Sequence, residues 1–210
     1  LQMSGYQTAA FVSSFVLARR FGLARGFDTY DDVEDAERPA GETTDRAIEY
    51  LRGKSEKPRL LWVHYFDAHA PYAPEEPFRA RYARNPYLGE VAAVDAQLQR
   101  LVEAFEKSAP GPIAILVAGD HGEGLGDHGE SLHGNLLYES TMRVPLVLVG
   151  PAVGPGVVDT PVSTRRIFDT VLDLAGLGGA SSLRATITPE VVLGEAMKPF
   201  LEYGWQPQIM

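Results

Sequence analysis

Two short apolar runs, separated by one long helical pattern, are the sequence feature that most constrains the fold. Residues 60–66 and 113–118 are too apolar to have a solvent-exposed face, which is typical of buried strands. Between them, Asn85 and Pro86 form a good N-cap and first helical residue, and the helix is predicted to run to about Lys107. Its apolar positions, at spacings of three and four, are Val91, Val94, Leu98, Leu101 and Phe105.

This order of elements predicts a β-α-β unit and an α/β fold. The two strands are expected to be parallel and joined by a right-handed crossover, so that both end at the same edge of the sheet. Ligands bind at that edge in open α/β sheets. Two histidine-bearing loops, 67–72 and 120–133, follow the two strands. We therefore expect their side chains to meet at one site.

The rest of the chain contains a few further predicted elements and no internal repeat. In chain order, these are a strand at 8–13 with a helical turn through Arg20, an exposed acidic loop at 28–37, a helix capped by Thr43 or Thr44 and ended by Gly53, a strand at 145–149, and a helix from about Thr164 to Gly176.

Charge and composition restrict the possible functions. A formal net charge of −9 argues against nucleic-acid binding and means that an anionic substrate needs a local cation or metal. No apolar run is long enough to span a bilayer, and no signal peptide is visible, which leaves the compartment open. The absence of cysteine excludes a thiolate ligand or a cysteine nucleophile within these 210 residues.

Asp120 and His121 form a candidate metal-ligand pair. Gly119 and Gly122 flank them and free the backbone to turn, so that both side chains can converge on one cation. A carboxylate oxygen with an imidazole nitrogen suits Mn²⁺, Mg²⁺ or Zn²⁺, and Ca²⁺ if more oxygens are supplied. Two ligands are too few for any of these ions, and an ordinary hydrogen-bonded Asp-His turn is the competing interpretation.

The other histidines have different predicted roles. His69 lies in a proline-rich loop and is a candidate donor to an anionic ester, whereas the alternative is a histidine that caps its own loop. His133 could reach back over the Asp120–His121 pocket, or it could face solvent. His64 lies within an apolar strand and is interpreted as a core histidine, and His128 as a structural loop residue. Whether His128 takes part in the site stays open.

A serine-hydrolase interpretation is disfavoured. Residues 129–133 begin like a nucleophile elbow, but His133 stands where the second glycine belongs. No predicted strand leads directly into this segment.

Several motifs, in order and spacing, resemble the sulfatase family of the alkaline-phosphatase-like superfamily. They are Gly119-Asp120-His121-Gly122-Glu123, Leu125-Gly126-Asp127-His128-Gly129, Leu137-Tyr138-Glu139 with Arg143-Val144-Pro145-Leu146, and Asp67-Ala68-His69-Ala70-Pro71-Tyr72. Residues 5–11, 26–28 and 167–176 also resemble family segments. The resemblance implies an alkaline-phosphatase-like α/β/α sandwich with a mostly parallel sheet, incomplete at both ends. It assigns residues 1–178 to a partial catalytic domain and 179–210 to the start of a C-terminal region.

The resemblance also implies the site. Asp120 and His121 would be metal ligands for one divalent cation, usually calcium, His69 would contact the ester, and His133 would replace a basic group that is often lysine in relatives. Whether Glu123 takes part stays open. The family's C/S-x-P-x-R segment, whose Cys or Ser becomes the formylglycine nucleophile, does not occur in residues 1–210. We expect it upstream of Leu1, and expect these residues alone to be inactive.

The implied reaction is hydrolysis of a small-molecule or glycan sulfate ester. One alternative is a phosphodiester or phosphonate hydrolase, or a phosphoglycol transferase, of the same superfamily, since the Asp-His pair leaves that open. Another is a degenerate domain that only binds a ligand or partner. By analogy, many relatives are periplasmic, secreted or membrane-attached.

Overall fold

The structure is a computed structural model that describes residues 1–109 and 111–210. The chain divides into two compact units, Leu1–Gly111 and Pro112–Met210. Helices and strands are both present in each unit, so the predicted α/β class is confirmed.

The first unit contains a parallel sheet of three strands. Strand β1 (Gln7–Val12) lies in the centre, between β2 (Thr29–Asp31) and β3 (Arg59–His64). The register places Ala9 beside Thr29 on one side and beside Leu61 on the other. The strands predicted at 8–13 and 60–66 are therefore confirmed, while β2 replaces part of the loop predicted at 28–37.

Strand β1 is buried on both faces. Ala9 and Phe11 pack in a cluster with Ala47, Leu51 and Leu101, which come from two helices. The opposite face has its own cluster, formed by Ala10, Val12 and Tyr30 with Trp62 and Phe27 packed against it. This two-sided burial explains why the strand reads as a continuous apolar run instead of an alternating one.

Three helices belong to this unit: α1 (Ala40–Arg52), α2 (Phe78–Arg81) and α3 (Pro86–Ser108). The predicted start of α3 is confirmed, because the Asn85 side chain accepts a hydrogen bond from the Leu88 amide at 3.1 Å. The predicted caps of α1 are wrong, since Thr43 and Thr44 are buried inside it. The Asp67 carboxylate, distant in sequence, instead accepts from the Ala40 amide at 2.8 Å.

The buried face of α3 also differs from the expectation at its first turns. Leu101 is buried as predicted, but Val91 is 42% exposed and Glu90 is only 5% exposed. The inward position is therefore occupied by a carboxylate, which accepts hydrogen bonds from the backbone N–H groups of His69 and Ala73. Short 3-10 helices at Gln2–Ser4, Phe15–Leu17 and Arg19–Phe21 complete the unit, and the last two account for the helical turn predicted through Arg20.

The second unit is built around a small antiparallel pair, β4 (Ile115–Ala118) and β5 (Leu146–Val149). Its other elements are a 3-10 helix at Asp127–Gly129, helices α4 (Glu139–Met142), α5 (Arg166–Leu174) and α6 (Lys198–Tyr203), and the strands β6 (Glu195–Ala196) and β7 (Gln208–Ile209). Helix α5 ends as predicted, with Gly176 following in a left-handed conformation at φ 70°.

The two strands of the predicted β-α-β unit lie in different units. Within its own unit β3 pairs with β1, and within the other β4 pairs antiparallel with β5. Hydrophobic periodicity predicts strands but not their partners, so the parallel alignment of β3 and β4 stays a prediction. Across the part of the chain that the structure describes, no helix combines the length and apolar character needed to cross a membrane.

Candidate active site

His69 lies in the loop that follows β3. Its ring stacks on Phe66, with ring centroids 4.1 Å apart. Its Nδ1 lies 2.8 Å from the carbonyl oxygen of Ala70. A carbonyl only accepts, so Nδ1 carries the proton in this contact, and in the neutral ring the lone pair is on Nε2. The ring is thus fixed in both orientation and tautomer.

The backbone of this loop is held by a buried carboxylate on α3. Glu90 accepts hydrogen bonds from the backbone N–H groups of His69, at 3.1 Å, and Ala73, at 2.6 Å. Burial raises the pKa of Glu90, while these two hydrogen bonds act in the opposite direction. The loop and the helix are in close contact here, and a Cβ added to Gly89 would lie only 2.7 Å from Pro74 Cγ.

Asp120 and His121 occupy the turn after β4. The His121 amide donates to Asp120 Oδ1 at 3.0 Å, and His121 Nδ1 lies 2.8 Å from the Gly122 carbonyl oxygen. The proton is therefore on Nδ1, and Nε2 carries the lone pair that a metal ion would need. This Nε2 lies 3.8 Å from Asp120 Oδ1. Two atoms that each bind one cation at about 2.0–2.6 Å can be this far apart, so the pair fits a shared metal ion.

Two glycines give this turn its shape by close backbone packing. A Cβ on Gly122 would lie 2.1 Å from the Ser140 carbonyl oxygen, and one on Gly124 would lie 2.4 Å from that of Glu130. Both amides also donate inward, from Gly122 to Thr141 O at 2.8 Å and from Gly124 to Leu132 O at 2.7 Å. Only glycine fits at these positions without displacing the backbone.

His133 is brought to the Asp120–His121 pair. Its ring centroid lies 4.0 Å from that of His121, and its Nδ1 lies 3.2 Å from Glu123 Oε1. The Glu123 side chain is 5% exposed and that of His133 is 22% exposed. A buried carboxylate beside an imidazole orients the ring. The arrangement therefore holds the His133 ring in a fixed position beside that of His121.

The two remaining histidines make local contacts. His64 has its Nδ1 3.2 Å from Ser13 Oγ, in keeping with its interpretation as a satisfied core histidine. His128 stacks on Tyr138 at 3.7 Å, and its Nδ1 lies 3.1 Å from Asp127 Oδ1. These contacts favour a structural role for His128 in the loop.

The structure thus unites three of the four predicted site residues, Asp120, His121 and His133, in one unit. His69 belongs to the other unit, and its approach to the pair stays a prediction. Within residues 1–109 and 111–210 there is no group of three His, Cys, Asp or Glu side chains that could hold a metal ion. Glu90 was not predicted as a site residue, and its only sequence signal is a Gly-Glu pair among apolar helix positions.

Solved structures with the same fold define the class of protein. The phosphonate monoester hydrolase of Silicibacter pomeroyi superposes with a TM-score of 0.70 at 17% identity, over 98% of this chain and 67% of its own. A protein solved with its substrate D-glucosamine-2-N,6-O-disulfate superposes with a TM-score of 0.65 at 18% identity, over 96% of this chain and 63% of that one. The chain therefore has the alkaline-phosphatase-like α/β fold.

A family model named Sulfatase matches residues 1–177, and the chain belongs to the sulfatase family. Among curated relatives, the choline-sulfatase of Rhizobium meliloti is 32% identical over 98 residues, which are 46% of this chain and 19% of that protein. The chain thus matches about a fifth of the length of this relative. The separate assignment of residues 179–210 stays a prediction.

Proposed function

We propose that the complete protein hydrolyses sulfate esters in a metal-dependent reaction. The observation that carries this proposal is the Asp120–His121 pair, whose Oδ1 and Nε2 atoms lie 3.8 Å apart with the His133 ring at 4.0 Å from that of His121. Membership of the sulfatase family supports the reaction class. The net charge of −9 makes a local cation necessary for binding an anionic ester.

Asp120 and His121 would hold one divalent cation, with calcium as the expected ion and Mn²⁺, Mg²⁺ or Zn²⁺ as alternatives. Their donor set, one carboxylate and one imidazole, fits such an ion but supplies only part of its coordination shell. When bound, the metal supplies electrostatic stabilisation of charge on the ester oxygens. The Nδ1 proton of His121, held by the Gly122 carbonyl, keeps Nε2 in the coordinating form.

The two other histidines would act on the ester itself. His69, whose Nδ1–H is held by Ala70 O, would carry a second proton on Nε2 and donate it in a hydrogen bond to a nonbridging oxygen, which stabilises the charge of that oxygen. His133, whose Nδ1 faces the buried Glu123 carboxylate, would donate a proton from Nε2 to the departing alcohol oxygen. By its resemblance to the sulfatase family, the complete protein would use a formylglycine as nucleophile, formed in a C/S-x-P-x-R segment that is not among residues 1–210.

The expected substrates are small-molecule or glycan sulfate esters. The names of two similar proteins, a choline-sulfatase and one solved with a glucosamine disulfate, support this class. Phosphonate or phosphodiester hydrolysis is the second candidate, because imidazole at position 121 also suits Mn²⁺ or Zn²⁺. The fold is similar to that of a phosphonate monoester hydrolase, so a phosphonate and a phosphodiester are tested beside the sulfate ester.

The test compares the intact protein with its Asp120→Ala variant. We expect 4-nitrophenyl sulfate to be cleaved faster than a phenyl phosphonate or phosphodiester, with about one divalent ion per protein by mass spectrometry of metals. Asp120→Ala should lower kcat/KM by about 1,000-fold or more and remove the ion, since a catalytic metal supplies several kcal/mol. The exposed Asp159→Ala is the control.

Each alternative has its own outcome. Faster turnover of the phosphonate or phosphodiester would replace the sulfatase proposal by the second candidate. Stoichiometric metal without any turnover, or neither metal nor turnover, would indicate a binding domain. Full metal content and activity in Asp120→Ala would show that this pair is not the metal site.

A further inference from the structure

A buried carboxylate on α3 is not used by the proposed reaction. Glu90 is 5% exposed, in the first turns of a helix whose other glutamates, at 103 and 106, are exposed. Ionisable side chains are rarely buried to this extent unless their polar atoms are paired. Its two oxygens are paired with backbone: Oε2 accepts from the His69 N–H and Oε1 from the Ala73 N–H.

These hydrogen bonds fix the loop on both sides of the His69 side chain. One bond is to His69 itself and the other is four residues on, so the carboxylate spans the segment between them. The same segment packs on Gly89, the helix residue before Glu90, through Pro74. At its other end, Asp67 caps the first helix through the Ala40 amide at 2.8 Å. The loop is therefore tied to two helices around one histidine.

From this geometry we propose that Glu90 is a positioning residue for catalysis, acting through His69. It does not touch the ester in this proposal. Its carboxylate sets the backbone position from which the His69 ring, stacked on Phe66, reaches its target. The inference rests on the proposed function insofar as His69 acts on the ester.

Glutamine at position 90 is the sharpest probe of this role. It preserves the size of the side chain but replaces one acceptor oxygen by an NH₂ donor. Either the His69 or the Ala73 N–H then faces another donor, and the loop must shift. A displacement of about 1 Å in a group that positions a reactant can cost about 100-fold in rate. We therefore expect Glu90→Gln to lower kcat by about 10- to 100-fold.

The experiment is a double-mutant cycle in the intact protein. It measures kcat, KM and bound metal for wild type, Glu90→Gln, His69→Ala and the double variant, with Glu106→Gln as the exposed control on the same helix. If Glu90 acts through His69, adding Glu90→Gln to His69→Ala should change kcat by less than about 2-fold. Metal content should be unchanged in all variants.

The outcomes separate this inference from the proposed function. An equal loss of kcat from Glu90→Gln in both backgrounds, or no loss in wild type, would overturn the positioning role. If His69→Ala itself leaves kcat unchanged, the catalytic role of His69 fails first. A fall in thermal stability with unchanged kcat would assign Glu90 a structural role only, and would also overturn the inference.

Discussion

The two histidine-bearing loops of this protein are held in place by different means. The loop around His69 is fixed by α3, through the Glu90 carboxylate and the packing of Pro74 on Gly89. The loop that carries Asp120 and His121 is fixed mainly by backbone-to-backbone contacts, since the Gly122 amide donates to Thr141 O on α4 and the Gly124 amide to Leu132 O. One loop therefore depends on hydrogen bonds to a buried side chain, and the other on close packing of backbone against backbone.

This difference corresponds to what each loop has to present. His69 would act alone, so one fixed ring on a rigid backbone is sufficient. The Asp120–His121 turn must bring a carboxylate, an imidazole and, through Glu123, a second imidazole close together, which requires tight backbone packing. Glycine permits that packing because it has no Cβ. Substitutions in the Asp120–His121 turn should therefore act through backbone packing, and substitutions at Glu90 through its hydrogen bonds to the His69 loop.

The largest effect is expected from Gly124→Ala. The added Cβ would lie 2.4 Å from the Glu130 carbonyl oxygen and 2.6 Å from that of Leu132, both of which are backbone atoms that cannot rotate away. We expect a loss of about 3 kcal/mol in the free energy of unfolding of the segment. Urea denaturation measures this loss, and metal analysis shows whether the Asp120–His121 site survives.

The matched control is Gly154→Ala, in the same unit. No atom lies within 4 Å of a Cβ built at Gly154, so the free energy of unfolding should change by less than about 0.5 kcal/mol. Equal effects at both glycines would show that the loop is not held by close backbone packing.

A smaller and more specific effect is expected from Glu123→Gln. The change keeps the size of the buried side chain but removes the charge that faces His133 Nδ1 at 3.2 Å. His133 should then be a poorer proton donor in the assigned orientation, with kcat about 10-fold lower and bound metal unchanged. Steady-state kinetics with an aryl sulfate as substrate measures this fall in kcat.

Glu139→Gln serves as the comparison, because the Glu139 side chain is 79% exposed and pairs with Arg143 on the surface. It should leave kcat within about 2-fold of wild type. Loss of metal in Glu123→Gln would contradict the assignment, since it would place Glu123 in the coordination shell instead of beside His133.

Much of the fold could be predicted from local patterns. The apolar run at β1 and the capped, periodic helix α3 are strong local signals, and both are present in the structure. Strand β2 was missed because it has only three residues in an acidic stretch, with Tyr30 as its one buried side chain. The start of α1 was missed because its cap, Asp67, lies 27 residues further along the chain. Strand partners were missed for the same reason, since pairing depends on distant residues.

The candidate site divides in the same way. Asp120, His121 and His133 were found because histidines and acidic residues cluster within one glycine-rich segment, and a local motif needs no knowledge of the fold. Glu90 was missed because a glutamate on a long helix ordinarily reads as a solvated residue. Its burial follows from the loop that it binds, and hydrophobic spacing alone had assigned the inward position to Val91, which is exposed.

The subtlest effect concerns how pH acts on the His69 loop. Burial raises the pKa of Glu90 above its ordinary value of 4.5. Between pH 4.5 and the raised pKa, the folded protein therefore holds a proton that the unfolded chain has released. The contribution of this carboxyl to stability is therefore complete below about pH 4.5 and is lost as pH rises through the raised pKa. The free energy of unfolding of wild type minus that of Glu90→Gln should fall across this window in urea titrations. Glu106→Gln, at an exposed position on the same helix, is the control for this titration. If the difference in free energy of unfolding between wild type and Glu90→Gln instead grows with pH, the two backbone N–H groups stabilise the charged carboxylate by more than burial destabilises it. The carboxylate would then stabilise the loop more strongly than its burial indicates.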